Sequence, residues 1–203
     1  MTLKQEKQAF LEHEFQTFSI NAALQHSSTY TTEKEKDRKK VRDALRLALR
    51  ELAARYKLGG VSPRKHVENI EELATSVKQN CASFLKEAHL RFGVAQKALN
   101  LYLKYLWCAG LIPTPPHCPF DATVIKRKRL LDFPADNWTE VDDKTTYEKW
   151  ARKAEEKRTL AKDESISRWE LREWNAAQLG GKVGCSRNDC SAATVDPTAH
   201  GRA

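Results

Sequence analysis

The sequence has no apolar run long enough to cross a membrane as a helix. Its longest uncharged, mostly apolar stretch, Tyr105 to Ile112, falls far short of the roughly 20 residues such a helix requires. The opening residues carry Lys4, Glu6 and Lys7 and lack the apolar core and small-residue cleavage site of a secretory signal, so the chain reads as cytoplasmic, with no membrane partner. Glycine and proline are almost missing before residue 110, where only Gly59, Gly60, Gly93 and Pro63 occur. Helix formers fill that span, and the expected fold is all-α.

Cysteine is sparse and odd in number: Cys81, Cys108, Cys118, Cys185 and Cys190. In a chain too large to depend on cross-links, that fits reduced thiols better than a disulfide framework. Cys185 and Cys190 with His200 offer three loosely spaced ligands, and a fourth would have to come from His117 or Cys118, so no metal is expected. The Cys-x6-Cys-x2-Cys-x5-Cys run that ligates an iron–sulfur cluster is missing, and so are the P-loop, the dinucleotide fingerprint, His-Glu-x-x-His and Gly-x-Ser-x-Gly. Those enzyme classes are excluded, and no cofactor is expected.

What is present is charge. Of 203 residues, 31% are charged and 40% hydrophobic, enough for the modest core of one domain. The formal net charge of +8 is unevenly spread: residues 31–130 carry +11, against −1 for 1–30, −3 for 131–175 and +1 for 176–203. A basic central stretch favours a polyanionic partner, with nucleic acid the commonest candidate. The plainer reading is a set of solvated helix faces.

Thr32-x-x-Glu35 has capping-box spacing, and Val41, Leu45, Ala48, Leu49 and Leu52 recur every three or four residues up to Gly59-Gly60, which predicts an amphipathic helix with a glycine stop. Ser62-Pro63 supplies a cap and a first-turn proline for a second helix that the apolar stripe carries to about Leu90. Gln96 to Cys108 is the most apolar segment and reads as the central helix. Pro113, Pro115, Pro116 and Pro119 forbid a helix until Asp121, which is placed to cap one running through Val124, Ile125 and Leu130. Shorter helices are predicted from Tyr147 to Leu160 and from Ser165 to Leu179, and an N-terminal one docked by Phe10, Leu11, Phe15 and Phe18. The expectation is a compact orthogonal helical domain of about six or seven helices. Residues 1–30 are expected to form its N-terminal helix and linker, 31–179 the single helical domain, and 180–203 a disordered tail by composition, with little apolar content and no aromatic residue.

One stretch carries candidate chemistry: Phe92-Gly93-Val94-Ala95-Gln96-Lys97-Ala98, the apolar helix, then His117-Cys118-Pro119-Phe120-Asp121. Over these roughly 30 residues the sequence resembles the helix-hairpin-helix DNA glycosylase superfamily, and within it the archaeal 8-oxoguanine glycosylases. That core reads Leu-Pro-Gly-Val-Gly-x-Lys-x-Ala, an apolar helix, then an apolar-Pro-apolar-Asp segment opening the next helix. The resemblance implies that Lys97 is a Schiff-base nucleophile, that Asp121 is the essential aspartate, and that Gly93 belongs to a phosphate-contacting hairpin. It implies cleavage of an N-glycosidic bond, with strand-nicking lyase activity. Three departures stand out: Phe92 replaces the proline, Ala95 replaces the second glycine, and 24 residues separate Lys97 from Asp121. An alanine at that point weakens a backbone contact to phosphate.

The chemistry needs residues of these types. A lysine attacks C1′ only as the free amine, and its ordinary pKa of about 10.4 leaves little of that form at neutral pH without help from its surroundings. A carboxylate at a helix start stabilises the positive charge that develops on the sugar. A base extruded from the stack needs an aromatic face, for which Trp107, Tyr102 and Phe120 are candidates, with Gln96 and His117 as polar neighbours. Lys126, Arg127, Lys128 and Arg129 follow Asp121 closely and are the expected phosphate contacts, joined by Lys104, seven residues beyond Lys97 on the same helix face. The rival expectation is a non-catalytic basic helical protein that binds nucleic acid or an acidic protein partner through the same charges.

Overall fold

The computed structural model describes residues 1–25, 27–127 and 137–178, with the side chains of 126 and 127 outside that set. Among the described residues the chain is all-α, with six α-helices: α1 (Leu3–Leu24), α2 (Glu35–Lys57), α3 (Pro63–Cys81), α4 (Phe92–Cys108), α5 (Lys144–Leu160) and α6 (Ile166–Gln178). None of them is long and apolar enough to cross a membrane. The predicted tail beyond Gly180 and the end of the helix expected to reach Leu130 lie outside the described residues.

The helix α4 is the hub. It packs against α1, α2 and α3, and it is buried nearly all round, which accounts for its continuous apolar character. Its aromatic flank is closed by α5, where Tyr147 lies 5.3 Å from Phe92 and 5.3 Å from Phe120, ring to ring. The core runs unbroken from Ile20, Ala23 and Leu24 of α1 through α2, α3 and α4 to Trp150 and Trp169, so the segment 1–30 packs into the same core as the rest.

Local signals account for the starts of several helices, and three features differ from expectation. Ser62 caps α3 by accepting a hydrogen bond from the Lys65 amide at 3.2 Å, with Pro63 in the first turn. Asp143 caps α5 in the same way through the Thr146 amide at 2.8 Å. At α2 the Thr32 hydroxyl instead accepts from the Lys34 amide at 3.1 Å, and the helix opens at Glu35 with no side-chain cap. The helix α3 ends at Cys81 rather than near Leu90. Glu87 and Ala88 take positive φ, and the chain from Ala82 to Ala88 turns through two 3-10 segments while the Phe84 carbonyl accepts from the Thr31 amide and the Lys86 amide donates to the Thr29 carbonyl.

The third difference is α1. Its docked face is Gln16, Ser19, Ile20, Ala23 and Leu24, with Phe15 stacked on Tyr105 at 5.4 Å. Phe10, Leu11 and Phe18, expected to anchor the helix, face outward.

Candidate active site

The carboxylate of Asp121 accepts a hydrogen bond from the Lys97 ammonium, so the two residues singled out from the sequence form an ion pair. The Lys97 side chain is 8% exposed and that of Asp121 24%. Lys97 reaches this position from the middle of the buried α4, while Asp121 stands at the end of the proline-rich segment. The other Asp121 oxygen accepts from the amides of Thr123 at 2.9 Å and Val124 at 3.2 Å. The aspartate therefore caps the turn that follows, as its sequence position suggested. That turn is a π-helical segment, Thr123–Arg127.

Gln96 holds the residue before the aspartate. Its amide nitrogen donates to the Phe120 carbonyl at 2.7 Å, and its amide oxygen accepts from the Phe120 amide at 3.2 Å. Asn100, one turn along α4, donates to the same Gln96 oxygen and to the Tyr147 hydroxyl, each at 3.2 Å. The Tyr147 hydroxyl lies 2.8 Å from His117 Nδ1. Burial pushes His117 down to about 4, so near neutrality its ring is uncharged and Nδ1 accepts from the tyrosine hydroxyl. The ring of His66 stands edge-on to His117 at 4.9 Å and is held well below the usual histidine range, first by burial and then by His117. Beyond it His66 Nδ1 lies 2.7 Å from the Tyr56 hydroxyl, which accepts from Asn69 at 3.0 Å. A buried polar chain thus runs from α2 and α3 to the backbone beside Asp121, its two hydrogen-bonded halves joined by the His66–His117 ring contact. Such a chain specifies one geometry, because each lost link strands a buried polar group.

The residue that sequence reasoning missed is Glu170 of α6. Its carboxylate accepts from the Lys104 ammonium at 2.7 and 3.0 Å, in a pair whose side chains are almost wholly buried. Burial raises the Glu170 carboxyl above its ordinary range; Lys104 and Lys97 pull it back down, and Asp121 pushes it up. Two sheltered amine–carboxylate pairs, Lys97 with Asp121 and Lys104 with Glu170, thus branch from α4 two helical turns apart. Only the Lys97 to Lys104 spacing of two helical turns was legible in the sequence. Glu170 lies 66 residues beyond Lys104, and nothing local marks it.

Several expected contacts are corrected. Gly93 does not open a hairpin: it lies in the first turn of α4, its amide donates to the Val141 carbonyl at 2.8 Å, and a Cβ there would sit 1.8 Å from the Trp138 carbonyl oxygen. Its amide is already spent, and close backbone packing is what demands the glycine. Lys104 is matched by Glu170 instead of facing phosphate. Phe120 is fully buried between Tyr147 and Trp150 and has no free face for a base. Tyr102 points to α1, where Gln16 donates to its hydroxyl at 3.3 Å. Trp107 is ten residues from Lys97, about 15 Å along the helix, too far to stack on a base at the amine. Gln96 and His117 are committed to the buried chain. The side chains of Lys126, Arg127, Lys128 and Arg129 lie outside the described residues, as do Cys185, Cys190 and His200.

Among the described residues no group of His, Cys, Asp and Glu is arranged to hold a metal ion. A groove of about 650 Å³ between the start of α3, the prolines and α5 has His117 in its wall, on the Tyr147 side of the buried chain. No protein family, curated protein or solved structure matches the chain in sequence or fold comparison.

Proposed function

We propose that Lys97 and Asp121 are the nucleophile and the charge-stabilising carboxylate of a DNA N-glycosylase with lyase activity. The observation that carries this reading is their ion pair: an amine from the middle of a buried helix and a carboxylate 24 residues away that is fixed by backbone amides. Transfer of the ammonium proton to Asp121 across that contact gives the free amine. Lys97 Nζ then attacks C1′ of the target nucleoside, the N-glycosidic bond breaks, and its electron pair leaves with the base, which takes the proton from Asp121 and so restores the carboxylate. After sugar-ring opening, the Schiff base acidifies C2′. Loss of that proton expels the 3′ phosphate, and water hydrolyses the imine to return the amine. Asp121 stabilises the cationic sugar on the way, at no cost in reorganisation because Thr123 and Val124 already hold it. Lys126 to Arg129, which follow directly in the chain, neutralise flanking phosphates.

The test is borohydride trapping on oligonucleotides that carry an abasic site or 8-oxoguanine. A covalent adduct formed by the wild type and lost in Lys97→Ala is expected, with Asp121→Asn slowing its formation. If no lesion yields a Lys97-dependent adduct, the catalytic reading fails. The rival, a non-catalytic basic protein for nucleic acid or an acidic partner, draws on the second pair, Lys104 with Glu170, which shows that buried ion pairs also tie helices together here. On that reading Lys97→Ala lowers stability and leaves duplex binding, with its steep salt dependence, intact.

A further inference from the structure

The helix α1 has apolar side chains on two opposite faces. One packs on α4; the other is a stripe at helical spacing, Leu3, Lys7, Phe10, Glu14 and Phe18, with Leu11 at its margin. Leu3 is 66% exposed, Phe10 64% and Phe18 57%. Two large aromatic rings left in water on one well-formed helix are a patch that calls for a partner. The charges within the stripe are equally unmatched: Lys7 and Glu14 take neither an ion pair nor a hydrogen bond among the described residues. Glu12, on the other face, is used within the chain by Gln8 and Lys57.

The stripe is complementary to itself. Laid antiparallel on a second copy, with the midpoint between residues 10 and 11, position 3 meets 18, position 7 meets 14, and position 10 meets 11. Each leucine then faces an aromatic ring, and each lysine faces a glutamate. No other partner needs to be invoked to satisfy this pattern, because a two-fold interface requires only that one patch fit its own image.

We propose that the outward face of α1 is a homodimer interface, in which α1 lies antiparallel to its counterpart about a two-fold axis between residues 10 and 11. Leu3 packs on the partner's Phe18, Phe10 on the partner's Leu11, and Lys7 pairs with the partner's Glu14. The interface does not depend on the Lys97 reading, since every residue in it is on the face of α1 away from α4.

Sedimentation velocity on the full chain, loaded over about 1–100 µM, tests the proposal. Expected is a concentration-dependent rise from the 23.2 kDa monomer to twice that mass. Phe10→Asp should abolish the rise and leave the far-ultraviolet helical signal unchanged, because the side chain makes no core contact. Lys7→Glu alone and Glu14→Lys alone place like charges opposite each other and should each weaken dimerisation about tenfold or more. An equimolar mixture of those two variants again sets a glutamate against a lysine at both positions, and should dimerise as heterodimer at least as well as the wild type. A wild type that stays monomeric throughout, a dimer indifferent to Phe10→Asp, or a mixture no better than the single variants would each overturn the proposal.

Discussion

Lys104 and Glu170 form a buried ion pair at 2.7 Å, two turns of α4 beyond Lys97. It converts a lysine that the sequence suggested for a basic surface into a tie between the central helix and the last one. Removing one member strands a buried charge, which costs about 3–5 kcal/mol, whereas replacing both with apolar residues of similar size is often close to neutral. Lys104→Met alone and Glu170→Leu alone are therefore expected to lower stability strongly in denaturant unfolding, and the double variant to recover most of the loss. Additive losses in the double variant would mean that the pair is not the tie.

Gly93→Ala separates a packing glycine from a phosphate-binding one. The added methyl falls 1.8 Å from the Trp138 carbonyl oxygen, a backbone atom that cannot swing aside. Overpacking of this kind costs about 1–3 kcal/mol or more. The expected result is a clear drop in thermal stability. Weaker binding to duplex DNA with unchanged stability would restore the hairpin role.

The two buried histidines make the fold acid-sensitive. His117 titrates at about 4 in the folded protein against an ordinary value of 6.5, so the neutral ring is the form that folding favours. Its contribution is complete above about pH 6.5 and is lost as the pH falls towards 4, an effect of about 3 kcal/mol. His66 is displaced in the same direction and adds to it. His117→Gln keeps an acceptor for the Tyr147 hydroxyl but has no proton to gain. Its melting temperature is expected to fall less between pH 7 and pH 4.5 than that of the wild type. Equal slopes would show that His117 does not set the acid response.

Local signals in the sequence carried much of the fold. The Ser62-Pro63 start of α3, the periodic stripe of α2 and the unbroken apolar run of α4 each reflect short-range physics: a cap, a fixed φ, a spacing of 3.6 residues. The cap at Asp121 is of the same kind. Where the expectation failed, a contact distant in sequence had decided the matter. Glu87 and Ala88 leave the helical region while the chain beside them bonds to residues 29 and 31, and Phe10 and Phe18 turn outward because Ile20, Ala23 and Leu24 already fill the side of α1 that meets α4.

The candidate site divides in the same way. Residue types and order alone determined that an amine of the apolar helix and a carboxylate after the prolines were the groups to watch. Only the tertiary structure decided that they touch, that Gln96 grips the strand of backbone between His117 and Asp121, and that Glu170 claims Lys104. Those outcomes depend on which helix faces meet, and hydrophobic burial, being non-directional, leaves that choice to the packing of the whole chain.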